Sequence, residues 1–259
     1  MTGIERLRAA FAGGRRALVP YLTAGDPDLE TTSALLEAVA RGGADIIELG
    51  VPFSDPMADG PVLQKAAERA LQQPFSLDAI LCVAARFGGS APIVLFGYYN
   101  PFFRYGHERL AAAAEAAGVA GILCVDLPPE EAGPLHDALA ARGLALVPLV
   151  TPTSDAARLG KARAVASAFA YYVTLTGVTG AALDAPDTVA ARVREVRAAM
   201  GLPVVVGFGV RTPEDARRVS EGADGVVVGS ALVELCHRTP AEGRAAAAEG
   251  YVASLKAAL

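Results

Sequence analysis

The sequence predicts an α/β fold, a single (β/α)8 TIM barrel, from three observations. Short β-branched or apolar runs recur eight times in 259 residues. Each is followed by a loop and then by a longer stretch with helical spacing. The first run leads into Leu22-Thr23-Ala24-Gly25-Asp26-Pro27, without the Gly-x-Gly-x-x-Gly turn expected of a dinucleotide-binding open sheet. Strands that alternate with helices pair in parallel through right-handed crossovers, which leaves a closed barrel or an open doubly wound sheet. Eight units in a chain of this length favour the barrel.

The eight runs are 17–21, 45–49, 93–96, 121–126, 145–150, 169–174, 204–207 and 225–228. An extra N-terminal helix is expected around 4–11 and an extra helix between strands 2 and 3 over 77–86. Within 29–41, Leu35, Leu36 and Val39 form an apolar stripe, and Gly42-Gly43 supplies the stop. Helix-start signals stand at Gly60-Pro61, Pro129-Glu130 and Thr212-Pro213-Glu214. The Ala-rich pieces 111–117 and 245–248 read as helix surface. No linker interrupts the pattern, so residues 1–259 read as one catalytic domain.

Composition narrows the function. With 53% hydrophobic residues the chain can bury a large core. A net charge of −5 and the absence of any Lys/Arg run leave no footprint for nucleic acid or an anionic membrane. The mean hydropathy of +0.36 comes from scattered Ala, Val and Leu, and no apolar stretch approaches the roughly 20 residues that span a bilayer. The first residues lack a basic region followed by an apolar one, and the three cysteines have no paired spacing, so a soluble protein of the reducing cytoplasm is expected. Cys82 and Cys124 read as plain buried thiols. His107, His136 and His237 are far apart in sequence, so no metal site is expected.

In a barrel the chemistry lies at the carboxyl ends of the strands. Glu48 alternates with Ile47 and Leu49; if those two pack on the helices, Glu48 points into the barrel mouth. A carboxyl among apolar neighbours has a raised pKa, suited to proton transfer near neutrality. The alternative is a structural ion pair. Asp59 follows a loop with Pro52 and Pro56, and its place before Gly60-Pro61 suits a helix cap as well as it suits catalysis. Asp55, before Pro56, reads as a turn former.

Strand seven ends in Val206-Gly207-Phe208-Gly209 and strand eight in Val228-Gly229-Ser230. Small residues there let backbone N–H groups approach an anion, and the loops after these two strands are the recurrent phosphate site of such barrels. The Gly-punctuated run after strand six, Leu175 to Ala182, suggests a lid, or else an ordinary surface loop. Tyr171 lines the pocket or fills core. Lys65, Lys161 and Lys256 all fall outside the strand runs, which argues against a Schiff-base aldolase. Carbon–carbon cleavage would then need an electron sink in the substrate itself.

At this point the chain resembles the α subunit family of tryptophan synthase. The resemblance runs over nearly the whole length, through Pro20 to Pro27, Glu48 to Pro61, Gly97-Tyr98-Tyr99-Asn100-Pro101, Asp126-Leu127-Pro128-Pro129-Glu130-Glu131, Thr176-Gly177-Val178-Thr179-Gly180, Val206 to Gly209 and Val228-Gly229-Ser230. It implies retro-aldol cleavage of indole-3-glycerol phosphate to indole and glyceraldehyde 3-phosphate. It also implies that Asp59 is catalytic, with Glu48 as general acid–base and Asp59 accepting the indole N–H. Phosphate would be held by Gly180, Gly209, Gly229 and Ser230. Gly177 and Thr179 would belong to the lid, and Tyr21, Phe96, Leu127 and Tyr171 would wall the indole. Tyr21 stands where some members have Phe, a difference expected to matter little.

Pro52, Asp55, Asn100, Pro128 and Pro129 would face a pyridoxal-phosphate-dependent β subunit in an α2β2 heterotetramer, the cofactor belonging to that partner. Three rivals remain at this stage. A free-standing lyase would share the residues, a sugar-phosphate isomerase would leave the Glu48 loop unexplained, and a non-catalytic binding subunit would have no use for both carboxyls.

Overall fold

The computed structural model describes residues 1–74, 76–173, 186–207 and 209–259. Nine parallel strands run in the order β5-β4-β3-β2-β1-β9-β8-β7-β6. They are β1 (Ala17–Thr23), β2 (Ile47–Gly50), β3 (Ile93–Gly97), β4 (Gly121–Cys124), β5 (Ala145–Val147), β6 (Leu149–Val150), β7 (Ala170–Val173), β8 (Val204–Gly207) and β9 (Gly225–Val228). The ninth arises because the expected run 145–150 is cut at Pro148, which has no N–H to give to a ladder. Its first half pairs with β4, Leu123 opposite Val147; its second half pairs with β7, Leu149 opposite Tyr171. The chain itself joins the two ends of the sheet, and the Tyr171 N–H donates to the Pro148 carbonyl at 3.0 Å. The expected eight-unit barrel is thus present with its fifth strand in two pieces.

Two apolar layers hold the ring. Ile47, Leu49, Leu95 and Ile122 pack outward on the helices, whereas Val19, Ile46, Leu123 and Val205 fill the interior. The alternation is the period-two pleat of each strand. Helix α1 (Gly3–Ala9) closes the amino end: Leu7 joins the interior cluster, and Arg6 donates to the Gly118 carbonyl at 2.7 Å. Gly3 is required there, because a Cβ would collide with the Ala120 backbone.

Helix α2 (Leu29–Arg41) has the expected bounds; Asp28 caps Thr31 N–H at 2.6 Å, and Gly43 turns the chain away at φ 96°. Helices α3 (Pro61–Ala70) and α4 (Leu77–Arg86) follow β2, the second being the extra helix read from the sequence. Arg69 of α3 grips Asp26 with two bonds of 2.8 and 2.6 Å, tying the loop after β1 to the helix after β2. After β3 come α5 (Tyr99–Tyr105) and α6 (His107–Ala116), and later α7 (Gly133–Ala140), α8 (Ala156–Val165), α9 (Pro186–Met200), α10 (Pro213–Val219), α11 (Ser230–Arg238) and α12 (Ala241–Lys256). The Thr212 signal is a capping box with Asp215. Among the described residues no helix is long and apolar enough to cross a membrane.

Helix α7 starts at Gly133 instead of Pro129-Glu130, because 128–132 forms turns in which Glu131 N–H donates to the Pro128 carbonyl. The fourth run ends at Cys124, and Asp126 leaves the ladder to accept the Tyr99 N–H at 2.6 Å. Two short helices were not anticipated, α5 and α11. The Ala-rich stretches are helical, yet Ala111, Ala114 and Ala248 are buried, small side chains at close helix contacts. Cys124 is buried as expected, but Cys82 is exposed, on the side of α4 opposite Leu77, Ile80, Leu81 and Ala84.

Candidate active site

The carboxyl ends of the strands open on a cavity of about 380 Å³. Tyr21, Glu48, Phe96 and Tyr171 line its deep end; Gly209, Gly229 and Ser230 line its rim. Parallel pairing sets the deep residues at one level, with Tyr21 opposite Glu48 on β1 and β2. Because Ile47 and Leu49 turn outward, Glu48 turns inward.

Glu48 is completely buried, and neither carboxyl oxygen has a hydrogen-bond partner among the described residues. That excludes the structural ion pair. Loss of hydration favours the neutral acid and pushes its pKa up to about 8. A buried carboxyl with free lone pairs, aimed into a cavity, is poised for a ligand.

Asp59 approaches from the loop after β2. Its N–H donates to the Pro56 carbonyl at 3.1 Å, and the Gln64 side chain of α3 donates to the Asp59 carbonyl at 2.9 Å, so the loop is pinned on both sides. The N-cap of α3 is Gly60, without a side-chain cap bond, which removes the capping role considered for Asp59. Instead the Tyr98 hydroxyl bonds the Asp59 carboxylate and accepts the Ala58 N–H at 2.9 Å. Partial burial raises the Asp59 pKa to about 6, opposed by the Tyr98 bond. Tyr98 is itself fixed by stacking on Phe53 at 5.2 Å. Two carboxyls in one mouth are therefore held in opposite states at neutral pH, Glu48 mainly protonated and Asp59 mainly ionised.

The aromatic wall depends on two glycines. The Tyr21 hydroxyl lies over Gly50 at the end of β2, and the Tyr171 hydroxyl lies over Gly207 at the end of β8; a Cβ at either glycine would collide with it. Phe96 meets Tyr21 edge-on at 5.2 Å. At the rim, Gly209 adopts φ 53° with open space around it, and Ser230 begins α11, whose first N–H groups are free to meet an anion.

The structure thus gathers Glu48, Tyr21, Phe96, Tyr171, Gly209, Gly229 and Ser230 around one cavity, with Asp59 between its lining neighbours Ala58 and Gly60. Gly177, Thr179 and Gly180 lie outside the described residues. Leu127 does not join the others: it borders a separate, small cavity with Cys124, Pro129 and Pro148 and packs with the outer layer. Beyond Cys124 the chain has turned off the strand, so the residues that face the interior are Leu123 and Val125. Of the expected partner-facing residues, Asp55, Asn100 and Pro128 are exposed and Pro129 is half-buried, but Pro52 is buried and shapes the loop from within. Met57 in that loop is 90% exposed, an apolar side chain offered to solvent. No local pattern marks Tyr98 or Arg211 for a role; Tyr98 directly follows β3, the position from which pocket residues are drawn.

The chain is similar to known proteins over nearly its whole length. The family model described as "Tryptophan synthase alpha chain" matches residues 7–258. A tryptophan synthase alpha chain of Citrifermentans bemidjiense is 52% identical over 254 residues, 97% of this chain and 95% of that one. One of Burkholderia multivorans is 46% identical, covering 100% and 97%. Among solved structures, tryptophan synthase subunit alpha of Legionella pneumophila superposes with a TM-score of 0.90 at 37% identity, covering 100% of this chain and 98% of that one. A chain from the tryptophan synthase α2β2 complex of Pyrococcus furiosus does so at 0.84 and 40%, covering 92% and 97%. Matched from end to end in sequence and in fold, this chain belongs to the tryptophan synthase alpha chain family.

Proposed function

We propose that residues 1–259 act as one catalytic domain in which Glu48 and Asp59 cleave indole-3-glycerol phosphate to indole and glyceraldehyde 3-phosphate. The observation that carries this reading is Glu48, a fully buried carboxyl without a partner, aimed into a cavity with an aromatic end and a glycine-rich rim. In the retro-aldol step Glu48, protonated at rest, gives its proton to indole C3. The ring becomes an iminium-like electron sink, and Asp59 accepts the indole N–H and stabilises the positive charge. Glu48, now a carboxylate, takes the proton of the hydroxyl on the carbon attached to C3. The C–C bond breaks toward the ring, the alkoxide carbon becomes the aldehyde, and Glu48 ends as it began. Tyr21, Phe96 and Tyr171 wall the indole, while Gly209, Gly229 and Ser230 receive the phosphate, joined by Gly180. We assign closure over the substrate to the loop of Gly177 and Thr179, with Thr179 moving toward Asp59.

Members of this family work with a β subunit, and we assign the pyridoxal phosphate to that partner. None of the three lysines here lines the cavity: Lys65 lies on α3, Lys161 pairs with Glu130 and Lys256 with Asp45. Asp55, Asn100, Pro128 and Met57 offer the exposed surface for docking. We assign the reaction to the cytoplasm, a reading supported by a phosphorylated, water-soluble substrate.

Indole release by the purified chain should be slow alone and strongly accelerated by a tryptophan synthase β subunit. Fast release without the partner would mark a free-standing lyase, and none in either case would remove the catalytic reading. The pH profile of kcat/KM should be bell-shaped. Activity falls as pH drops through about 6, where Asp59 gains a proton, and as pH rises through about 8, where Glu48 loses one. A flat rate between pH 5 and 9 would contradict this assignment of protonation states.

A further inference from the structure

We propose that Arg211 is a phosphate-binding residue whose guanidinium supplies the cationic half of the anion subsite at the cavity rim. The inference rests on the reading of that rim as the phosphate end of the substrate site. Arg211 follows Gly209 in the loop between β8 and α10, and it lines the cavity beside Gly229, Ser230 and Ala231. It is the one Lys or Arg on that wall among the described residues. Its backbone is committed at both ends: the N–H donates to the Asp215 carboxylate at 3.2 Å, and the carbonyl accepts the Tyr251 hydroxyl at 2.8 Å. What remains free is the side chain. It is exposed, and no described carboxylate pairs with it; the nearest acid by sequence, Asp215, is already bonded to Arg218 at 2.8 Å and to its own capping box.

The location gives the side chain a choice of two directions. Arg211 also borders an adjoining cavity of about 290 Å³ with Ala231, Glu234, Arg238 and Tyr251, where Glu234 is paired with Arg238 at 3.9 Å, so Arg211 stands on the ridge between that space and the site. The site itself carries the ionised Asp59, and a phosphate dianion entering it approaches that negative charge. Backbone N–H groups at the start of α11 offer only fractional positive charge. A guanidinium offers a full charge and a fork that matches two phosphate oxygens. Because the backbone of Arg211 is anchored on α10 and α12 through Asp215 and Tyr251, swinging onto the phosphate costs only side-chain rotamer freedom.

The test uses Arg211→Gln and Arg211→Lys in the complex with a β subunit, with two probes. Glycerol 3-phosphate carries the anion without the ring, and indole-3-propanol carries the ring without the anion. In Arg211→Gln the inhibition constant of glycerol 3-phosphate and the KM for indole-3-glycerol phosphate should rise roughly tenfold, kcat should change less than KM, and inhibition by indole-3-propanol should hold. The difference from wild type should shrink at high salt, and Arg211→Lys should recover part of it. An unchanged glycerol 3-phosphate constant in Arg211→Gln would overturn the role of Arg211 alone. Equal weakening of both probes would overturn it as well, by exposing a general disturbance of the site. If wild type turns over but is not inhibited by glycerol 3-phosphate, the phosphate reading of the whole rim fails and this inference falls with it.

Discussion

Glu48→Gln should lower kcat by about 10²- to 10⁴-fold and at the same time make the protein harder to unfold. The substitution keeps shape and polarity but removes the proton that is delivered to indole C3 and the base that accepts the hydroxyl proton. Substrate analogues should still bind, since neither the aromatic wall nor the rim is touched. The stability gain follows from linkage. The folded pKa of about 8 lies above the ordinary 4.5, so the folded state holds a proton that the unfolded state has released. The ionisation penalty of this buried carboxyl is therefore absent below about pH 4, reaches about 3 kcal/mol near pH 7 and levels off above pH 8 at about 5 kcal/mol. Gln has no such cost. Thermal unfolding of wild type and variant should accordingly diverge as pH rises from 5 to 9, and parallel curves would show that Glu48 is not buried in the manner described. The same residue is thus expected to weaken the fold and to enable the reaction.

Asp59→Asn should reduce kcat by about 10²- to 10³-fold, with binding of phosphate-bearing inhibitors retained. Asn can still accept the Tyr98 hydroxyl, so the loop from Pro56 to Gly60 keeps its bonds to Gln64 and Tyr98. What disappears is the negative charge opposite the cationic ring. Isothermal titration with glycerol 3-phosphate alongside steady-state turnover separates the two effects. Near-normal turnover would reduce Asp59 to a loop residue. Loss of inhibitor binding together with activity would mean that the substitution had disturbed the rim instead.

The barrel was readable because each strand is buried on both faces and therefore appears as a short apolar run, with Gly, Pro or Asp marking where it stops. Glu48 was readable for the same reason: it is a charged residue inside such a run, between two aliphatic ones. The glycines of the rim could be placed from their position at strand ends. Other features depend on contacts between distant positions. Tyr98 reaches Asp59 across 39 positions, and no local spacing foretells that bond. Leu127 shares the parity of the interior positions Leu123 and Val125, but parity has meaning only while the chain is a strand, and the ladder ends at Cys124. Helix α5 is a seven-residue aromatic segment, too short for a clear helical stripe. Arg211 resembled any exposed arginine in a loop until the fold set it beside Ser230.

The interruption at Pro148 bears on how the molecule breathes. A ring of parallel strands resists opening because each rung supports the next, and here one stretch of the ring is bridged by a peptide chain with a missing donor. Local fluctuations require fewer broken bonds at that point than across β1 and β2, and backbone amides beside it should exchange with solvent sooner than those in the opposite wall. Tyr171 holds the Pro148 carbonyl through its own N–H while its ring forms part of the aromatic wall. Any widening at the break would therefore move Tyr171 and change the volume at the aromatic end of the cavity, which makes this rung the expected clasp of the closed cylinder.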